Sequence, residues 1–113
     1  MRLLIIGSLG GQIGAASKIA VARGAKVVHA DNVAEALNVL RLGQGADLIM
    51  IDVKQNIAQL VESLKSERIS ATVVACGTEN DRQAAVGAIK AGAQEFVPLP
   101  TDPELMACVF QSV

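Results

Sequence analysis

Short, unbroken apolar runs alternate along this chain with segments whose apolar residues recur three and four positions apart. The runs at 3–6, 26–30, 48–51, 72–76 and 95–97 read as five strands, the third ending at Asp52. Five helices fall between and after them. The first is expected over 12–23, closed by Gly24, the usual left-handed terminator. The second is expected over 33–42, with Val33, Ala36, Leu37 and Leu40 on one face, Asn32 as cap and Glu35 completing a capping box. The third carries Ile57, Leu60, Val61 and Leu64 at helical spacing. Asn80 and Gln83 repeat the capping-box pattern for the fourth, which ends at Gly92. The fifth begins near Asp102-Pro103, where proline suits the first turn.

Strands without polar alternation are buried on both faces, as in a parallel sheet covered by helices. Regular strand–helix alternation with short loops predicts one doubly wound α/β domain over residues 1–113. There is no internal repeat, linker or low-complexity segment, and one last helix before the end fits a domain cut from a longer chain. In such sheets a ligand site lies at the carboxyl ends of the strands. Function is therefore sought at Gly7-Ser8, Ala30-Asp31, Asp52, Cys76-Gly77-Thr78 and Pro98-Leu99-Pro100.

Composition narrows the chemistry. Hydrophobic residues make up 51% of the chain but aromatics only 2%, so the core must be aliphatic. The net charge of −1 comes with no basic stripe, which leaves no electrostatic footprint for nucleic acid on this domain. Cys76 and Cys108 sit in apolar runs and read as core thiols rather than a disulfide framework. With His29 the only histidine, no cluster with metal-ligand spacing exists, and neither a metal nor a cofactor is expected. The apolar start is too short for a signal peptide or a membrane span, so the expected compartment is the cytoplasm, with no membrane contact. Gly7, Gly10, Gly11 and Gly14 follow the first strand, and Asp31 ends the second, as in a dinucleotide-binding loop. The glycine spacing is one residue too long for that fingerprint, and a tight strand-to-helix turn needs glycines without any ligand.

The stretch Ala88-Ile89-Lys90-Ala91-Gly92-Ala93 followed by Glu95-Phe96-Val97-Pro98-Leu99-Pro100 resembles the end of a bacterial response-regulator receiver. There an "AIKAGA" phrase closes the fourth helix, an aromatic lies on the fifth strand, and Lys-Pro follows. Ala46-Asp47-Leu48-Ile49-Met50-Ile51-Asp52 resembles the receiver's third strand with its terminal phosphoacceptor aspartate, and 3–8 resembles the first. The resemblance covers the whole chain in order. It is similar above all to receivers of the NtrC class, which precede a σ54-activating ATPase and a DNA-binding domain. Among these, Val73-Val74-Ala75-Cys76-Gly77 and the fifth-strand phrase look most like FlbD-type flagellar transcription regulators. The resemblance implies a flavodoxin-like (CheY-like) fold, a five-stranded parallel sheet in order 2-1-3-4-5 with five helices on its two faces.

It also implies which positions carry the receiver chemistry, and most are substituted. The acidic pair that holds Mg²⁺ falls on Gly7 and Ser8, neither of which offers a carboxylate. The phosphoacceptor position is kept as Asp52. The hydroxyl position falls on Gly77, or on Cys76 if the loop is aligned differently, with Thr78 just beyond. The lysine that pairs with the phosphoryl group falls on Leu99, and the switch aromatic on Phe96. Without those charges Asp52 reads as a cap for the adjacent helix or a partner of Lys54, the alternative being a residual acceptor role. No catalytic residue is assigned. The family resemblance implies regulation by a protein partner, such as a flagellar-assembly regulator, and homodimers are common in the class. It implies DNA contact only through a separate domain. Candidate contact surfaces are the fourth helix, fifth strand and fifth helix, with Arg82, Lys90, Phe96 and Met106, or the small-residue first helix with Gly14, Ala15, Ala16, Ala20 and Ala22.

Overall fold

The computed structural model of the chain describes residues 2–7, 13–42, 46–77 and 82–98. Within them strands and helices alternate as the pattern predicts: β1 (Arg2–Ile6), α1 (Ile13–Ala22), β2 (Lys26–Ala30), α2 (Val33–Arg41), β3 (Leu48–Asp52), α3 (Ile57–Ser66), β4 (Thr72–Gly77), α4 (Arg82–Lys90) and β5 (Glu95–Pro98). Every strand pair is parallel, and the order is β2-β1-β3-β4-β5. That is the doubly wound order with its reversal between β1 and β3. β1, β4 and β5 each run one residue beyond their expected limits, because the ladder pairs Arg2 with Lys26 and Gly77 with Pro98. Four helices lie among the described residues. The fifth, expected near Asp102, and the Asn80 cap lie outside them.

The alternation of side chains across the pleat divides the core in two. Leu4, Ile6, Ile49, Ile51, Val73 and Ala75 face α2, α3 and α4. Leu3, Ile5, Leu48, Met50, Val74, Cys76 and Val97 face the α1 side, where Ala20 packs on them. Leu3 to Ile6 and Leu48 to Ile51 are at most 2% exposed, which is why both strands read as continuous apolar runs.

Local signals fix the helix ends. Asn32 Oδ1 accepts the Glu35 amide at 2.8 Å, and Asn56 Oδ1 accepts the Gln59 amide at 3.0 Å. The Glu35 carboxylate reaches past Asn32 and accepts from the Asp31 amide at 3.3 Å, so the expected capping box closes one residue further out. Gly24 and Gly92 end α1 and α4 at φ +84° and +116°. α3 ends with Arg68 at φ +56°, a left-handed turn without a glycine, closed by the Ile69 amide donating to the Leu64 carbonyl at 2.8 Å. A two-point ion pair ties α2 to the end of α3: Arg41 donates to both Glu67 oxygens at 2.7 and 3.0 Å, which holds the Glu67 carboxyl below its ordinary range. No helix among the described residues is long and apolar enough to cross a membrane.

Candidate functional site

The sheet order places the mouths of β1 and β3 side by side, at the point where the strand order reverses. Gly7 follows β1 and Asp52 ends β3. Gly7 is buried, its amide donates to the Ala30 carbonyl at 2.9 Å, and its φ is +90°. Its carbonyl oxygen lies 3.0 Å from His29 Nε2; since a carbonyl can only accept, Nε2 must carry the proton of that hydrogen bond. The same nitrogen is 3.9 Å from Asp31 Oδ1, so β2 and the residue after it bring an imidazole and an exposed carboxylate to the rim.

Asp52 is the buried charged residue of the described chain, 4% exposed. Its Oδ1 accepts the Lys54 backbone amide at 2.9 Å, and its carbonyl accepts the Gln55 amide at 2.9 Å. Asp52 therefore caps the turn after β3. It does not cap α3, a task held by Asn56, and its bond to Lys54 is to the amide rather than the ammonium. Both refinements of the sequence expectation follow from a turn of four residues between strand and helix, which puts Asp52 too far back to reach the first turn of α3.

A side chain at position 7 has no room. A Cβ built on Gly7 would stand 2.9 Å from Asp52 Cβ and 3.4 Å from Gln55 Cγ and Nε2. Gln55 itself spans the mouth and donates from Nε2 to the Asp31 carbonyl at 3.4 Å. Nothing in the sequence assigns Gln55 this role, since a polar residue in a strand-to-helix turn carries no signal of its own. Among the described residues no group of three histidine, cysteine or acidic side chains is placed to hold a metal ion. With Gly7 beside a single buried carboxylate, the described residues do not fit the acidic Mg²⁺ site of a receiver.

On the other side of Asp52 the ladder pairs it with Cys76. The Cys76 thiol is fully buried in the α1-side core, and burial, with the Asp52 charge second, pushes it up to about 12. It is a core thiol, as its apolar surroundings in sequence suggest. Because Cys76 is committed to the core, Gly77 is the residue at the mouth of β4. A Cβ there would stand 2.9 Å from Val53 Cγ2 and 3.4 Å from two ring carbons of Phe96. Phe96 is half-buried, its ring packed against the α2–α3–α4 side of the core and over Gly77. Ser8, Thr78 and Leu99 lie outside the described residues, as do Cys108, Met106 and residues 8–12 of the glycine-rich loop.

Of the expected contact surfaces, α4 presents Lys90 to solvent together with two residues that the sequence pattern did not single out. Val86 and Ile89 are 51% and 47% exposed and adjacent on the helix, while Ala88 alone is described as buried on α4. Their signal is present in the sequence, as apolar residues falling on more than one face of a short helix. A groove of about 300 Å³ separates α4 from the turn after β3, with Val53, Asn56 and Ile57 on one wall and Gly87, Ala88 and Ala91 on the other. On α1, Ala20 is spent on the core and Ala22 is exposed.

No protein-family model matches the chain. The transcriptional regulatory protein FlbD of Caulobacter vibrioides is 50% identical over 113 residues, all of this chain and 25% of that protein. The chain thus spans about a quarter of that relative's length. Among solved structures, NtrX from Brucella abortus in complex with ADP superimposes with a TM-score of 0.85 at 19% identity, covering 98% of this chain and 25% of that one. A two-component response regulator from Clostridium difficile superimposes with a TM-score of 0.82 at 16% identity, covering 99% and 93%. The structural likenesses carry the fold, and the sequence match carries the relationship. With a β2-β1-β3-β4-β5 parallel sheet, an aspartate at the mouth of β3 and half of this chain's positions identical to a quarter-length stretch of FlbD, the chain has the fold of response-regulator receiver domains and is related in sequence to FlbD.

Proposed function

We propose that this domain regulates an attached σ54-type transcription activator through protein–protein contact, without phosphorylation of Asp52. The observation that carries the reading is the mouth of β1: the position expected to hold an acid is a glycine at φ +90°, closed against Asp52, which is itself 4% exposed. Phosphoryl transfer to a carboxylate requires cations and donors aimed at the charge that develops, and removing one such group typically costs about 3 kcal/mol. Gly7 supplies no carboxylate and Leu99 no cation. The sequence also puts Ser8 where the second acid is expected.

A domain without a covalent switch changes state only through a ligand that binds one conformation better than the other. Shifting a population decisively takes roughly 5 kcal/mol of differential binding, which a protein interface can supply. The exposed Val86 and Ile89 on α4, beside Lys90, support this helix as the contact face. The relationship to FlbD supports a flagellar-assembly protein as the partner, a second copy of the domain as a further contact, and DNA binding by another part of the longer regulator. Cytoplasmic localisation follows from that role.

The test has two arms. The chain is incubated with a small phosphodonor and Mg²⁺ and its intact mass recorded; no phosphate adduct is expected. In the full-length regulator, Val86→Lys with Ile89→Lys is expected to abolish reporter control while the domain stays folded. An adduct that disappears in Asp52→Asn would instead establish a conventional phosphoacceptor receiver, and unchanged control in the α4 variant would remove this face from the mechanism.

A further inference from the structure

Two glycines at the strand mouths each leave a space, and a single turn fills both. At β1 the missing side chain of Gly7 makes room for Gln55, whose Cγ and Nε2 lie 3.4 Å from where a Cβ would stand. At β4 the missing side chain of Gly77 makes room for Val53, whose Cγ2 lies 2.9 Å from the corresponding point. Val53 reaches Gly77 on the β4 side and Gln55 reaches Gly7 on the β1 side, so the two side chains lie on opposite flanks of β3 while the Lys54 amide is bonded to the Asp52 carboxylate between them. The Val53 amide continues the ladder to the Cys76 carbonyl at 2.9 Å, and Gln55 Nε2 reaches the Asp31 carbonyl at 3.4 Å. The turn is therefore fastened to β4 on one side and to the end of β2 on the other.

We infer that residues 53–55 form a seated lid over Asp52, keyed into notches at Gly7 and Gly77. The two glycines are required as notches and are more than vacated ligand positions. The lid explains how a carboxylate can end a central strand and yet be 4% exposed. It also forms part of one wall of the groove facing α4, to which Val53 and Gln55 both contribute. The inference is independent of which partner works the domain, and its test reads folding and exchange rather than transcription, so the two can fail separately.

The first measurement is a double-mutant cycle by urea unfolding of the chain. Gly77→Ala is expected to lower the folded-to-unfolded ratio by roughly ten- to a hundredfold, the ordinary range for overpacking. Combined with Val53→Ala, which removes the opposing methyl, the loss is expected to be clearly smaller than the product of the two single losses. Gly7→Ala is expected to stay destabilised when combined with Gln55→Ala, because Asp52 Cβ and the φ of +90° still oppose it. The second measurement is amide exchange. Gln55→Ala is expected to speed exchange at Lys54 and Gln55 about several-fold, with the strands unchanged, since both amides are held by Asp52 beneath the lid. Losses that simply multiply in the Gly77–Val53 pair would overturn the notch at β4. Unchanged exchange at Lys54 in Gln55→Ala would overturn the lid, and it decides the matter even if Gly77→Ala does not fold.

Discussion

Asp52 offers the sharpest separation between a structural carboxylate and a chemical one, because asparagine and alanine remove different things from it. The Asp52 carboxylate accepts the Lys54 amide at 2.9 Å and forms no ion pair with a described residue. Among the described residues no cation pairs with its buried charge, which is unfavourable, while its oxygen ends a backbone donor, which is favourable. Asp52→Asn keeps the oxygen and removes the charge. Stability is therefore expected to stay within about 1 kcal/mol of wild type. Asp52→Ala removes the acceptor and leaves a void beneath Gln55. A hydrogen bond to a charged group contributes about 1.5–3 kcal/mol, so the alanine variant should lose roughly 2–3 kcal/mol. With a urea slope of about 1–2 kcal/mol/M, that is a midpoint shift of about 1–3 M, easily measured by far-UV circular dichroism. In the full-length regulator, Asp52→Asn should keep transcriptional control, as no phosphoryl group is expected there. Equal losses in the two variants would show that the charge itself stabilises the turn. Wild-type stability with loss of control in Asp52→Asn would make Asp52 a functional carboxylate and refute the structural reading.

Two further outcomes test the packing. Gly92→Ala places a Cβ 2.7 Å from Val61 Cγ1 at φ +116°, so strain of about 1–2 kcal/mol adds to overpacking of about 1–3 kcal/mol; Gly24→Ala, at φ +84° in open space, carries only the first cost. Urea midpoints should rank them in that order, and equal shifts would contradict the close approach of α4 to α3. The Cys76 thiol, raised from 9.0 to about 12, predicts an alkaline loss of stability: the unfolded chain gives up its proton above about pH 9 while the folded chain keeps it, so stability present below pH 9 falls by up to ~1.4 kcal/mol per pH unit towards 12. Cys76→Ala should flatten that slope between pH 8.5 and about 10.5 by urea unfolding, whereas parallel profiles for the two proteins would count against burial of the thiol.

The fold was legible because its determinants are local or periodic. The apolar runs could hold every strand of the sheet, and the repeat of Val33, Ala36, Leu37 and Leu40 identified the face of α2 that is buried. Glycine at 24 and 92 marked helix ends for a stereochemical reason, and both residues have positive φ. Where the chain uses the same turn without the usual residue, the pattern is silent: Arg68 takes φ +56° at the end of α3, and nothing in its identity announces that. The reach of Glu35 to Asp31 rather than Asn32 is likewise a matter of where a flexible carboxylate finds a donor, which spacing alone does not decide. The strand order came from the family resemblance, since parallel pairing leaves no mark in the composition of one strand about which neighbour it takes.

The site was legible as a set of positions and not as an arrangement. The sequence locates Asp52 at the end of β3 and Gly7 at the end of β1, and a glycine in place of an acid reads as a simple subtraction of charge. The geometry makes it a substitution of volume as well. At Gly7 the space is taken by Asp52 and Gln55, and at Gly77 by Val53 and Phe96. Gly7→Asp would therefore bring a second carboxyl to a backbone at φ +90°, with its Cβ 2.9 Å from Asp52 Cβ and a glutamine already across the opening. Restoring an acid at that position adds strain at a positive φ and requires Asp52 and Gln55 to give way to its Cβ, changes that a single substitution does not provide. The distance between this mouth and one able to hold a metal ion is thus set by the conformation of the β3–α3 turn as much as by the missing charges.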